Sequence, residues 1–164
     1  MKTKLDELFE DSIDILSESL SKAVRSALEE YERLNDEGGK AEAPEYIYIS
    51  FLLSGILCKL PWMHISLCDE HGQGDMTACF VPWDTPVISN DLYRSAEAHA
   101  GKIKDYELEQ LWVSMSGEYI KAFERFLPII IKKSGDLSQE LKWHFGQYLI
   151  ETAIVWEKSG DEVF

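Results

Sequence analysis

Apolar positions at steps of three and four dominate the start of the chain: Leu5, Leu8, Phe9, Ile13, Leu16, Leu20, Val24, Ala27, Leu28, Tyr31 and Leu34. That period lays a single apolar stripe along a helix. Thr3, with Asp6 three residues on, offers a capping-box start, and Gly38-Gly39 a stop. The other face carries Glu7, Glu10, Asp11, Asp14, Glu18, Glu29 and Glu30 and reads as solvated. Residues 36–43 are polar and contain glycine, which predicts a mobile linker. Pro44 then suits a helix first turn and Pro61 a helix end. Ser50 and Ser54 lie four apart among apolar residues, so residues 45–59 are expected to form a nearly buried helix. A strand competes there, because Tyr46-Ile47-Tyr48-Ile49 is β-prone.

After Pro61 the period changes to two. Met63, Ile65 and Leu67 alternate with His64, Ser66 and Cys68, the pattern of a half-buried strand. Residues 69–75 carry turn chemistry, and residues 76–83 read as the returning strand of a β-hairpin, with Ala78 and Phe80 on one face and Thr77, Cys79 and Val81 on the other. Ser89 or Asn90 can cap a short helix that stops near Gly101. A long helix follows from about Asp105, with Leu108, Leu111, Trp112, Met115, Tyr119, Phe123, Phe126, Leu127 and Ile130 on its apolar face; Pro128 should kink or break it. A final helix is expected over residues 136–158, on the spacing of Leu137, Leu141, Phe145, Tyr148, Leu149 and Val155. Together these elements predict a single α+β domain over residues 1–164, about five helices packed with one β-hairpin or small antiparallel sheet.

Charge sharpens this picture. The 164 residues hold 30 Asp and Glu against 16 Lys and Arg, a net charge of -14. Such a surface repels nucleic acid and anionic lipid, both of which need Lys and Arg to displace their counterions. The exception is a protein that imitates nucleic acid with its own carboxylates. Net charge also keeps proteins soluble without any further role. Cys58, Cys68 and Cys79 lie in or beside apolar runs at irregular spacing, which suggests reduced thiols rather than a disulfide framework. The start of the chain turns acidic at once and lacks an apolar signal core. The run over residues 46–60 is interrupted and falls short of the roughly 20 residues of a membrane span. A cytoplasmic protein is expected.

No motif names a reaction or a cofactor. The best metal candidates are His64, Cys68, His71 and Cys79, which have N and S donors of the kind zinc takes. No paired Cys-x-x-Cys knuckle accompanies them, so two buried thiols and two unrelated histidines are the plainer account. The same four residues would serve a metal-dependent hydrolase. Recognition chemistry stands out more. Between Lys59 and Arg94 there is no Lys or Arg, while Asp69, Glu70, Asp75, Asp84 and Asp91 accompany Trp62, Phe80 and Trp83. Trp83 sits in an irregular segment between Pro82 and Asp84. Exposed, and ringed by Asp69, Glu70, Asp75 and Asp84, it would be a hot spot for a basic protein; folded back, it is core. The leading expectation is thus a small acidic non-enzymatic binding module for a basic protein partner, with the physical character of immunity proteins that neutralise toxin domains. A homodimer or larger homo-oligomer whose hairpins pair across a two-fold axis is the alternative.

Overall fold

The computed structural model describes residues 2–38, 43–72, 79–135, 141–148 and 152–157. Helix α1 spans Lys4–Gly38. Its expected cap is present: the Asp6 amide donates to Thr3 Oγ1 at 3.1 Å, and the Thr3 amide donates to Asp6 Oδ2 at 3.0 Å. Two orphan donors of the first turn are thereby satisfied. Phe9, Leu16, Leu20, Val24, Ala27 and Tyr31 are buried along its stripe. The helix continues through residues 36–38, where a linker was expected, and residues 39–42 lie outside the described part.

Helix α2 (Leu53–Leu57) is one short turn, α3 covers Pro86–Glu97, and α4 covers Asp105–Ser134. Proline sets the start of α3: Pro86 occupies its first turn, where a missing N–H is harmless. The start is therefore earlier than Ser89 or Asn90. Pro128 lies inside α4, which runs on to Ser134 without a break. α1 and α4 lie side by side in the same direction. Asp6 pairs with Arg125 at 2.5 Å, and the Ser21 hydroxyl donates to the Ser134 carbonyl at 2.8 Å, satisfying an end carbonyl of α4.

Strands β1 (Tyr46–Phe51), β2 (Met63–Cys68), β3 (Val81–Pro82), β4 (Lys142–Gln147) and β5 (Thr152–Trp156) form one mixed sheet in the order β3-β2-β1-β4-β5. β1 runs antiparallel to β2 and parallel to β4. An α+β architecture therefore holds, with more strand and fewer helices than expected. Residues 45–59 are not one helix. Tyr46–Phe51 is the central strand, covered on both faces, so its apolar run is continuous and hides the period of two. Residues 136–158 are not a helix either: Lys142–Gln147 and Thr152–Trp156 pair antiparallel. The proposed ends of that helix fall outside the described residues. Among the described residues the returning strand is Val81–Pro82, and just beyond it the Trp83 amide donates to the Met63 carbonyl at 2.8 Å; residues 76–78 lie outside the described part.

One face of the sheet supplies Ile47, Ile49, Met63, Ile65, Leu67, Trp143, Phe145 and Val155 to a single apolar cluster. The helices bury their stripes in that same cluster. Phe123 of α4 is its hub, meeting Phe9 at 4.8 Å, Trp83 at 5.6 Å and Trp62 at 5.7 Å, each edge to face. No described helix is long and apolar enough to cross a membrane.

Candidate interaction site

Two of the expected partner-binding residues, Trp83 and Asp69, are buried. Trp83 is 1% exposed, and its indole N–H donates to Ser19 Oγ of α1 at 2.9 Å. It is a core residue, and the condition for an exposed aromatic anchor is not met. Asp69 is 2% exposed and accepts the His71 amide at 2.8 Å, which closes its own turn. Glu70 and Asp84 are exposed, whereas Asp75 lies outside the described residues. Two of the five expected partner-binding positions thus remain available on the described surface.

The four metal candidates are separated by the sheet itself. His64 and Cys68 point to the face away from the helices. Cys79 joins the apolar cluster on the other face and accepts the Leu67 amide on Sγ at 3.4 Å. His71 stands in solvent beside Glu70 at 3.8 Å. Among the described residues no three His, Cys, Asp or Glu side chains are placed to hold a metal ion.

Two other surfaces carry chemistry. The first is α1. Its 35 residues include eleven acidic and four basic side chains, a surplus of seven and so half of the chain's net charge of -14. Lys22 pairs with Glu18 at 2.8 Å, and Arg33 with Glu30 at 2.7 Å and Glu37 at 2.5 Å. Glu7, Asp11, Glu29 and Glu32 form no ion pair among the described residues.

The second surface is the sheet face turned away from the helices. Register places its side chains in rows across β2, β1 and β4. His64, Ser50 and Gly146 form one row, Ser66, Tyr48 and His144 the next, and Cys68, Tyr46 and Lys142 the third. Thr152 and Ile154 of β5 extend the first two rows. Phe80 (41% exposed) stacks on His64 at 4.3 Å and meets Tyr148 (37% exposed) at 4.9 Å. The His144 ring lies 4.8 Å from that of Tyr48, and its Nδ1 shares a hydrogen bond with Thr152 Oγ1 at 3.2 Å. Gly72 sits at φ 59°, and a Cβ there would stand 2.8 Å from the Tyr48 hydroxyl, so the turn after β2 folds back onto this face.

Three polar atoms on this face are buried without a hydrogen-bond partner: Ser50 Oγ, His64 Nδ1 and His144 Nε2. Burial holds the His64 imidazole below its ordinary value, opposed by a backbone hydrogen bond with Trp62. Burial does the same to His144, helped by the Lys142 charge and opposed by Glu157. Both rings are therefore neutral at pH 7. The expected helices over residues 45–59 and 136–158 scatter these side chains, so the face escaped the sequence. The usable signal was the alternation Tyr46-x-Tyr48-x-Ser50, small and polar next to aromatic. No protein-family model matches the chain, and no curated protein or solved structure is significantly similar to it.

Proposed function

We propose that the chain is a small, acidic, non-enzymatic protein-binding module that masks a basic partner, such as a toxin domain held by an immunity-type inhibitor. The observation that carries this reading is the concentration of half the net negative charge on one exposed 35-residue helix. Single exposed pairs contribute about 1 kcal/mol or less. A field summed over many carboxylates acts differently, raising encounter rates by roughly 10-fold to 1000-fold at low salt. Steering thus falls to α1, and Glu70 and Asp84 are secondary contributors.

The test is association of the purified chain with a panel of basic nuclease-type toxin domains, beside control proteins of equal positive charge. One toxin domain should bind more tightly than the controls. Its association rate should fall about tenfold as salt rises toward a level where the Debye length is a few ångströms. Neutralising Glu7, Asp11, Glu29 and Glu32 together should lower the low-salt rate in the same direction. Equal binding to toxin domains and controls, or a rate indifferent to salt, removes this function.

A further inference from the structure

The turn that closes α2 pairs a left-handed backbone with uncovered apolar side chains. The Lys59 amide donates to the Ile56 carbonyl at 3.1 Å, and the Leu60 amide to the Gly55 carbonyl at 2.8 Å. That pair of bonds ends many helices and puts the residue just past the helix in the left-handed region, where glycine is usual. Lys59 takes this position at φ 54°, alone among the described non-glycine residues. Its ammonium pairs with Glu97 of α3 and lies 5.9 Å from the Trp112 ring centroid of α4. The Leu60 carbonyl accepts the Tyr93 hydroxyl of α3 at 3.4 Å. Three helices thus hold this turn in one shape, and strain fixed from several sides gathers at functional sites.

In this motif the apolar residue after the left-handed one normally rests on a side chain of the helix's last turn. Here that place falls to Gly55. No larger residue fits, because a Cβ would stand 2.9 Å from both the Pro61 carbonyl oxygen and Trp62 Cα. Leu60 is therefore left 58% exposed, more than any other large apolar side chain described, and Leu57 is 48% exposed. Cys58 and Pro61 are exposed as well. Between Glu45 and Asp69 the sequence holds no Asp or Glu. A rigid apolar knob without carboxylates of its own stands on a chain of net charge -14.

Charge and area decide what covers it. Two copies of the chain would both carry -14, and so short a turn offers far less than the roughly 800 Å² per partner that a stable dimer buries. A basic partner escapes both limits, since its contact can spread onto acidic surface elsewhere on the chain. We propose that the turn over residues 57–61 is a docking knob, received by the basic partner in an apolar socket rimmed by Lys or Arg. This rests on the acidic binding module proposed above and names the contact by which that module holds its partner. A turn already fixed loses little freedom on docking. Leu57 and Leu60 supply grip, while α1 steers from a distance.

The experiment measures association and dissociation rates of the toxin and control domains on the full chain and on three variants: Leu57→Ala, Leu60→Ala and Ile129→Ala. Ile129, on α4 and 49% exposed, is the control. Each replaced side chain is about half in water, so thermal melts should show all three variants folded. Leu60→Ala should speed dissociation about tenfold and Leu57→Ala about fivefold, with association nearly unchanged. Ile129→Ala should change neither rate. Dissociation unaltered by both leucine variants, or altered as much by Ile129→Ala, removes the knob and leaves the acidic-module function standing. A leucine effect that is equal for toxin and control domains, or that accompanies salt-indifferent association, removes the function and keeps the knob. Sedimentation of the parent chain tests the rival occupant. A dimer that Leu60→Ala splits would mean that a second copy covers the turn, and the proposal falls. If no basic domain binds, function and knob fall together.

Discussion

Replacing Trp83 separates a core role from a recognition role. Its indole is 1% exposed, packs edge to face on Phe123 at 5.6 Å and donates to Ser19 Oγ at 2.9 Å. Trp83→Ala should therefore leave a large cavity and destabilise the fold by about 3–5 kcal/mol. For a domain of this size that corresponds to roughly 6–20 °C in Tm. Trp83→Phe keeps most of the ring volume and loses one hydrogen bond. Ser19 does not become an orphan, because its hydroxyl also donates to the Leu16 carbonyl at 3.1 Å. The Phe variant should thus lose only about 1–2 kcal/mol. Guanidinium unfolding followed by circular dichroism at 222 nm measures both. An Ala variant whose midpoint and Tm match the parent would show that Trp83 is outside the core and refute the packing described here. An Ala variant that melts early, yet binds its partner normally when folded, would show that the ring has no place in the interface.

Two glycines should respond to alanine with opposite signs. At Gly55 a Cβ would stand 2.9 Å from both the Pro61 carbonyl oxygen and Trp62 Cα, so Gly55→Ala must displace backbone and should cost about 1–3 kcal/mol. At Gly117, inside α4, a Cβ meets nothing within 4 Å, and Gly117→Ala should stabilise by about 0.5–1 kcal/mol. Parallel denaturant titrations check both, and a stabilised Gly55→Ala would contradict the close approach of α2 to Trp62. Acid should act through Asp6. A backbone hydrogen bond from Thr3 and then the Arg125 guanidinium hold its carboxyl at about 2, below the ordinary 3.8. A depressed carboxyl stabilises the fold above the unfolded value and loses that contribution as pH falls from about 4 to about 2. Asp6→Ala should therefore lower Tm at pH 7 and converge with the parent near pH 2, whereas a constant gap across that range would exclude titration of Asp6 as the cause.

What could be read from the sequence depended on whether an element had one solvent face. α1 and α4 each expose a polar side, so their 3.6-residue period survives in the order of residues. β2 was recognisable because Met63, Ile65 and Leu67 alternate with smaller or polar residues, although the structure buries all six of its positions. β1 gave no such contrast. The Ile residues face the helices and the Tyr residues face the outer side, so both sides look apolar. The four-residue spacing of Ser50 and Ser54, read as one helical stripe, joins a strand residue to a residue of α2. β4 misled through Leu137, Leu141, Phe145 and Leu149, whose spacing imitates a helix. Gly146 and the aromatic pair Trp143 and Phe145 were the opposing signals. The parallel pairing of β1 with β4, nearly a hundred residues apart, has no local signature at all.

That long-range pairing is what brings Ser50 beside Gly146 and Tyr48 beside His144. The acidic helix is the opposite case, local and readable, and it lies across the sheet from these residues. One layer of packing is about 10 Å, close to the Debye length at physiological salt. Charge on α1 therefore reaches the outer face at low salt and is largely screened in the cell. Steering and grip should then separate kinetically. Neutralising α1 should slow association and leave dissociation nearly unchanged, because long-range charge acts before contact. Were α1 variants to change the dissociation rate instead, the helix itself would be the contact surface.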